Sequence, residues 1–390
     1  MGIFAIGNLP TTPSSSHGGG FNQRDIDLYF QNLNSLNNLS LSSPTPVIVP
    51  GTRAANDPGV PERDFEITQD ICIASTVAQG ATIAVYFETG DAAGWLDFLQ
   101  RAIMPASTEP KPMVISISAH VSRQDDAIDG FSMADIMTFE SLLQAAAMRG
   151  ITVFASSGDF GARPAPGRTF SVHWPASIPW VTACGGTTIG RLQPTDATPV
   201  EWVWNDESGA TGGGVSDRYP VPLYQQPELI FSPPIVPPSL KDGRRGRGIP
   251  DVAGNASRSS GYQLFLQGSD TDPGTSRPFV AEGTSIVAPL YAGLAAVINE
   301  NLPPLILGPN ISIPNLVGFL NPILYRFPGL CTDIDDSDKT INPGSPPDNG
   351  QGDLAGYPSG PGWDACTGLG TIDGTKLQDL LIRLGPIRLF

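Results

Sequence analysis

The chain has 390 residues, with 38 acidic against 22 basic side chains and a formal net charge of -16, a balance that argues against nucleic acid and anionic membrane as partners. Its 44 glycines and 39 prolines make it loop-rich yet leave it short of a low-complexity composition. No uninterrupted apolar run reaches the roughly 18 residues of a membrane span. No repeat or charge-rich linker divides it, so residues 1–390 read as one large α/β domain.

In chain order, strand-like and helix-like segments alternate, the pattern of a mostly parallel sheet flanked by helices on both faces. The chain opens on a strand candidate, Ile3–Ile6, without the charged region and cleavage site of a signal peptide. A helix is predicted at Arg24–Leu36, another at Ile67–Ala78, and a strand at Thr82–Phe87. The helix Ala92–Met104, the strand Met113–Ser118, the helix Met133–Arg149 and the strands Ile151–Ser156 and Trp180–Cys184 follow. Proline pairs near Ser232 and the run Lys241–Gly248, with Arg244, Arg245 and Arg247, read as an exposed, solvated loop. The helix Ser285–Asn301 and an amphipathic helix Thr375–Leu384 complete the series, the latter with Leu377, Leu380, Leu381 and Leu384 on one face.

Gly283-Thr284-Ser285, at the mouth of an otherwise apolar helix, is the most informative stretch. Glycine permits a sharp turn, and a serine placed there sits where unpaired backbone N–H groups point outward. An ordinary helix-capping serine has the same signature. A serine nucleophile needs a base, usually histidine, and the chain holds only His17, His120 and His173. A carboxylate base is the alternative. Glu66-Ile-Thr-Gln-Asp70 puts two carboxylates on one helix face, where like charges favour retention of a proton. The segment that follows, Ile71–Ala81, carries no charge, so part of this helix is buried and its carboxylates need partners.

Several blocks resemble, in order, the sedolisins, or serine-carboxyl peptidases. They are Glu66-x-x-x-Asp70 with Ala78–Phe87, Ala155-Ser-Ser-Gly-Asp159, Trp174–Gly186, Val203-Trp-Asn-Asp206, Ala210–Ser216 and Pro250–Ala256, together with Gly-Thr-Ser285. The resemblance covers nearly the whole chain. It implies a subtilisin-like α/β fold with Ser285 as nucleophile, Glu66 as general base, Asp70 orienting Glu66, and Asp159 in the oxyanion hole. It further implies an acid-acting peptidase on protein or peptide substrates, secreted and monomeric. A carboxyl group donates a hydrogen bond only while protonated, so an oxyanion-hole aspartate is in keeping with acid operation.

The resemblance also implies one structural Ca²⁺ in a C-terminal loop region. Asp333 and Asp364 would supply carboxylates, and Ile334, Gly360 and Gly362 carbonyl oxygens, a hard-oxygen set suited to that ion. The family's propeptide and the first strands of its usual catalytic domain have no counterpart in the sequence. Glu282 stands where the family usually has glycine, Ala119-His120 where it usually has Trp-Gly, and Ser16 where some members carry an acid. These departures leave open a catalytically inactive relative that binds peptides or serves as a Ca²⁺-stabilised secreted scaffold. A conventional Ser-His-Asp hydrolase using His120 or His173 is a third reading. Cys331 and Cys366 flank one loop and are candidates for a bridge, and three sequons, at Asn38, Asn255 and Asn310, suit a secreted chain.

Overall fold

The computed structural model describes the chain outside residues 7–18, 60, 122, 125–126, 192–198, 227–234, 268–275, 309–310, 337–346, 353 and 386–390, so Ser16 and His17 lie outside the described residues. Eight strands form the central sheet. They are β1 (Gly2–Ile6), β2 (Val47–Pro50), β3 (Ala84–Glu88), β4 (Val114–Ile117), β5 (Thr152–Ser156), β6 (Thr182–Gly190), β7 (Val200–Val203) and β8 (Val252–Asn255). The order is β8-β6-β5-β4-β1-β3-β2, parallel throughout, and β7 adds antiparallel to β6.

A parallel sheet is buried on both faces, and the two-residue period of its strands divides side chains between two cores. In β1, Ile3 and Ala5 enter one core with Val85 and Phe87 of β3. Phe4 enters the other, stacked at 4.6 Å on Phe98 and tilted at 4.4 Å against Trp95. Helices α1 (Gln23–Asn37), α2 (Pro61–Val77) and α5 (Val287–Asn301) cover the first face, with α2 packed on α5 and α5 on β4 and β5. Helices α3 (Ala92–Ile103) and α4 (Met133–Met148) pack together over the second, and α6 (Gly374–Leu384) closes the C-terminal side against α5. Each predicted helix and strand is present within a few residues, except that α2 starts earlier, at Pro61, a residue preorganised for the first helical turn, and β6 runs on to Gly190, well past the predicted end at Cys184.

Four features depart from the sequence reading. The strand β8 has the sequence Val-Ala-Gly-Asn, whose glycine and asparagine carry little strand propensity, yet its parallel register against Cys184–Thr187 supplies the order. The edge strand β2 was likewise unmarked, ending in a proline tolerated only at an edge. Arg247 is not on an exposed loop. It is fully buried, its guanidinium donating to both oxygens of Asp251 at 2.9 and 2.6 Å and to the Val181 carbonyl at 2.9 Å, while Arg244 and Arg245 are exposed as expected. Finally, Cys331 and Cys366 are not bridged: all four cysteines are buried free thiols. Cys331 is packed in an apolar cluster with residues such as Leu330, Ile372 and Leu377. No helix among the described residues is long and apolar enough to cross a membrane.

Candidate active site

The site lies where the sheet's architecture leaves a crevice, beyond the carboxyl ends of neighbouring parallel strands. Ser118 follows β4 and Asp159 follows β5 by three residues. Above them the chain turns at Gly283, whose φ of 101° is open only to glycine at little cost. A β-carbon at Gly283 would also come within 2.9 Å of Asp159 Oδ2. Residues Thr284–Ile286 then form a short 3₁₀ turn that runs into α5. Ser285 therefore sits in the turn that leads into the helix, not on the helix itself.

The Ser285 hydroxyl is nearly buried, at 7% exposure. It donates to Glu66 Oε2 at 3.4 Å, a long contact of the kind that tightens when substrate is present. It also accepts from Gln69 Nε2 at 2.9 Å. Both partners come from α2, one helical turn apart, and α2 packs against the helix that Ser285 introduces. Asp70, four residues after Glu66, is buried, and its Oδ1 accepts from the Ser118 hydroxyl at 2.8 Å. That hydroxyl also lies 3.1 Å from the Ser285 carbonyl, tying β4 to the nucleophile turn. No hydrogen bond joins Asp70 to Glu66 among the described residues; the charge of Glu66 helps to raise the Asp70 pKa. Glu66 Oε1 and Asp70 Oδ2 are both buried without a partner among the described residues.

Asp159 approaches from the opposite side. Its Oδ1 accepts from the Thr284 amide at 2.7 Å and from the Thr284 hydroxyl at 2.9 Å, while that hydroxyl itself accepts from Gly158 N at 2.9 Å. The carboxyl is thus fixed against the turn that carries Ser285. The four residues expected to act together, Ser285, Glu66, Asp70 and Asp159, are brought to one place from three elements far apart in sequence.

Three carboxyls so close together, Asp70 buried and Glu66 and Asp159 half-buried, hold protons tightly. Burial pushes Glu66 from the usual 4.5 up to about 7; the hydrogen bond from Ser285 opposes this and the charge of Asp159 adds to it. Asp70 is raised well above its ordinary range, first by burial and then by Glu66. Asp159 is raised by burial, against the pull of the Thr284 hydrogen bonds and of His120, with Glu282 adding to the rise. Glu282 itself is held by Arg258 at 3.2 Å.

No imidazole contacts Ser285 among the described residues. His120 and His173 instead pack edge to face at 4.4 Å, and burial holds His173 well below its ordinary pKa, with His120 adding to the effect. The Ser-His-Asp reading therefore has no base in place. Gln69 was missed by the sequence reading, because a glutamine between two carboxylates carries no motif signal of its own.

The C-terminal residues expected to hold an ion also converge. Asp364 Oδ1 accepts from the amides of Cys366 and Thr367, both at 2.8 Å, and its Oδ2 from Gly360 N at 3.1 Å. Asp333 Oδ2 accepts from Gly362 N at 2.7 Å, so the two carboxylates grip one glycine-rich turn. The Ile334 carbonyl accepts from Ser359 Oγ at 3.1 Å. No trio of His, Cys, Asp or Glu side chains is arranged to hold a metal among the described residues. Carbonyl oxygens would have to complete any coordination shell.

No family model matches the chain. It is 36% identical over 380 residues to kumamolisin of Bacillus sp. (strain MN-32), an alignment covering 94% of this chain and 58% of that protein. It is 32% identical over 411 residues to tripeptidyl-peptidase sed5 of Aspergillus fumigatus, covering 98% of this chain and 62% of that one. With human tripeptidyl-peptidase 1 it shares 32% over 319 residues, covering 78% and 50% respectively. The chain thus spans about half to three-fifths of the length of these curated relatives. Among solved structures, Pseudomonas sedolisin, described as a serine-carboxyl proteinase complexed with two molecules of pseudo-iodotyrostatin, superposes with a TM-score of 0.69 at 24% identity. That match covers 99% of this chain and 92% of that one, and it fixes the fold as subtilisin-like α/β.

Proposed function

The chain belongs to the sedolisin family, and from that premise we propose that it is a serine-type peptidase that hydrolyses peptide bonds through an acyl-enzyme on Ser285. The observation that carries this reading is the pairing of the Ser285 hydroxyl with the Glu66 carboxylate and with no imidazole. Glu66 takes the serine proton as Oγ attacks the scissile carbonyl, then returns it to the departing amine. Water repeats the sequence to release the acyl group. Asp70, anchored by Ser118, shares the proton load of Glu66, and Asp159 in its protonated form donates to the oxyanion.

The acid preference follows from the shared protons. The working state has Glu66 ionised and Asp159 neutral. The rise of Glu66 to about 7 includes repulsion from a charged Asp159, so while Asp159 keeps its proton Glu66 ionises at lower pH. The three carboxyls titrate as one set: losing the first proton switches activity on, and losing the next switches it off. Substrates are peptides or proteins, and a secreted monomer acting in an acidic exterior is the setting that suits this chemistry.

For Ca²⁺, Asp364 is the observation that fits. It is a buried carboxylate at 7% exposure with only N–H and O–H donors, and no cationic side chain, around it among the described residues. Asp333 and Asp364, with carbonyls of Ile334, Gly360 and Gly362, would hold one ion, which would pin the C-terminal loop region and take no part in the reaction.

Digestion of a defined peptide library between pH 3 and 8, read by mass spectrometry, tests the reading. Cleavage by the natural chain and none by Ser285→Ala supports it. Absence of cleavage by both across that range favours the peptide-binding alternative suggested by Glu282 and Ala119.

A further inference from the structure

We propose that Gln69 is a further catalytic residue, whose side-chain amide fills one lone pair of the Ser285 hydroxyl and so directs the hydroxyl proton toward Glu66. The inference rests on the peptidase reading above and assigns a role that the carboxyl groups alone leave open. Its basis is a contact that is shorter than the one to the base: Gln69 Nε2 lies 2.9 Å from Ser285 Oγ, against 3.4 Å from Oγ to Glu66 Oε2.

A hydroxyl has one proton to give and two lone pairs to fill. With Gln69 donating to Oγ, the proton cannot lie on that side, and Glu66 is the acceptor that remains among its partners. Gln69 holds this position at a structural cost. It is fully buried, and its Oε1 has no hydrogen-bond partner among the described residues. An unsatisfied buried amide oxygen destabilises a fold, and an apolar side chain at this position would avoid that cost. The helix thus places a second polar side chain beside the nucleophile, one turn after Glu66. The same N–H donor steadies negative charge as it builds on Oγ during attack, and again as Oγ leaves the acyl group.

The groups that face Glu66 fix what the loss of Gln69 should do. They are Asp70 on its own helix, Asp159 beyond β5 and the Ser285 hydroxyl itself. Without Gln69, Oγ is free to turn away from Glu66, and the hydrogen bond that lowers the Glu66 pKa is weakened.

The test is steady-state kinetics of Gln69→Leu and Gln69→Glu on a peptide that the natural chain cleaves, from pH 3 to 8. For Gln69→Leu the expected result is a fall in kcat of about tenfold, the worth of one hydrogen bond to a reacting atom. KM stays nearly unchanged, and the acid limb of the profile moves to higher pH. For Gln69→Glu, activity survives at the acid end, where the new carboxyl is protonated and can donate, and falls away as it ionises and competes for the serine proton. Natural kcat and an unmoved acid limb in Gln69→Leu would overturn the inference while leaving the peptidase reading intact. If Gln69→Leu does not fold, Gln69→Glu decides alone, and a profile like that of the natural chain overturns it. A natural chain that cleaves nothing at any pH removes the reading on which the inference stands, a result separate from either variant's behaviour.

Discussion

Replacing Glu66 by glutamine should stabilise this protein at alkaline pH and do little in acid. Glu66 moves from 4.5 in the unfolded chain to about 7 in the folded one, chiefly because it is buried. The folded state therefore binds the proton more tightly than the unfolded state, and stability falls as pH rises from about 4.5 through 7. At 1.36 kcal/mol for each factor of ten, the loss amounts to about 3 kcal/mol by pH 8. Glutamine is uncharged at every pH and nearly the same shape, so the variant escapes that loss, and it also relieves Asp70 and Asp159 of a neighbouring charge. Urea or guanidinium unfolding of both proteins at pH 4 and pH 8 measures the difference. The expected result is near-equal stability at pH 4 and a variant more stable by about 2–4 kcal/mol at pH 8. A gap of the same size at both pH values would refute the claim that Glu66 is a desolvated carboxyl in the folded protein. The gain in stability should coincide with loss of peptide hydrolysis, the trade expected of a strained functional group.

Two further outcomes follow from the same geometry. Asp159→Asn keeps a donor beside the Thr284 turn at every pH, so the alkaline limb of the activity profile should move upward or flatten, as read from kcat/KM between pH 4 and 9; a limb identical to that of the natural chain would place its origin elsewhere. Asp364→Ala should lower the melting temperature of the calcium-loaded protein and abolish the further fall produced by a chelator. A natural chain whose melting temperature ignores both chelator and added Ca²⁺ would count against the metal site.

Much of this structure is legible in the residues because parallel strands buried on both faces, such as Ile3–Ile6 and Thr152–Ser156, write themselves as short apolar runs, and their helices as longer periodic ones. Ser285 and the Glu66–Asp70 pair could be named because a glycine turn and an i,i+4 carboxylate pair each leave a local trace, whereas Asp159 was named only through the resemblance to the sedolisins. What was not legible depends on partners distant in sequence. Val252–Asn255 becomes a strand through its register on Cys184–Thr187, and Arg247 is drawn from an apparently solvated basic run by Asp251 and the Val181 carbonyl. Gln69 belongs to the same class, since its meaning lies in a hydroxyl 216 positions away. Cys331 and Cys366 were proposed as a pair from loop position alone, which says nothing about whether two thiols meet.

The most direct test of the central claim is to trap the intermediate. The protein is mixed with an activated peptide ester, quenched in acid within the first turnovers, and digested, and the peptide that contains Ser285 is weighed by mass spectrometry. The expected result is an acyl group on Ser285 in the natural chain, none in Ser285→Ala, and formation slowed by a factor of at least about a hundred in Glu66→Gln, the scale of losing a general base. An unmodified Ser285 in a chain that nonetheless cleaves peptides, or acylation at the natural rate in Glu66→Gln, would contradict it.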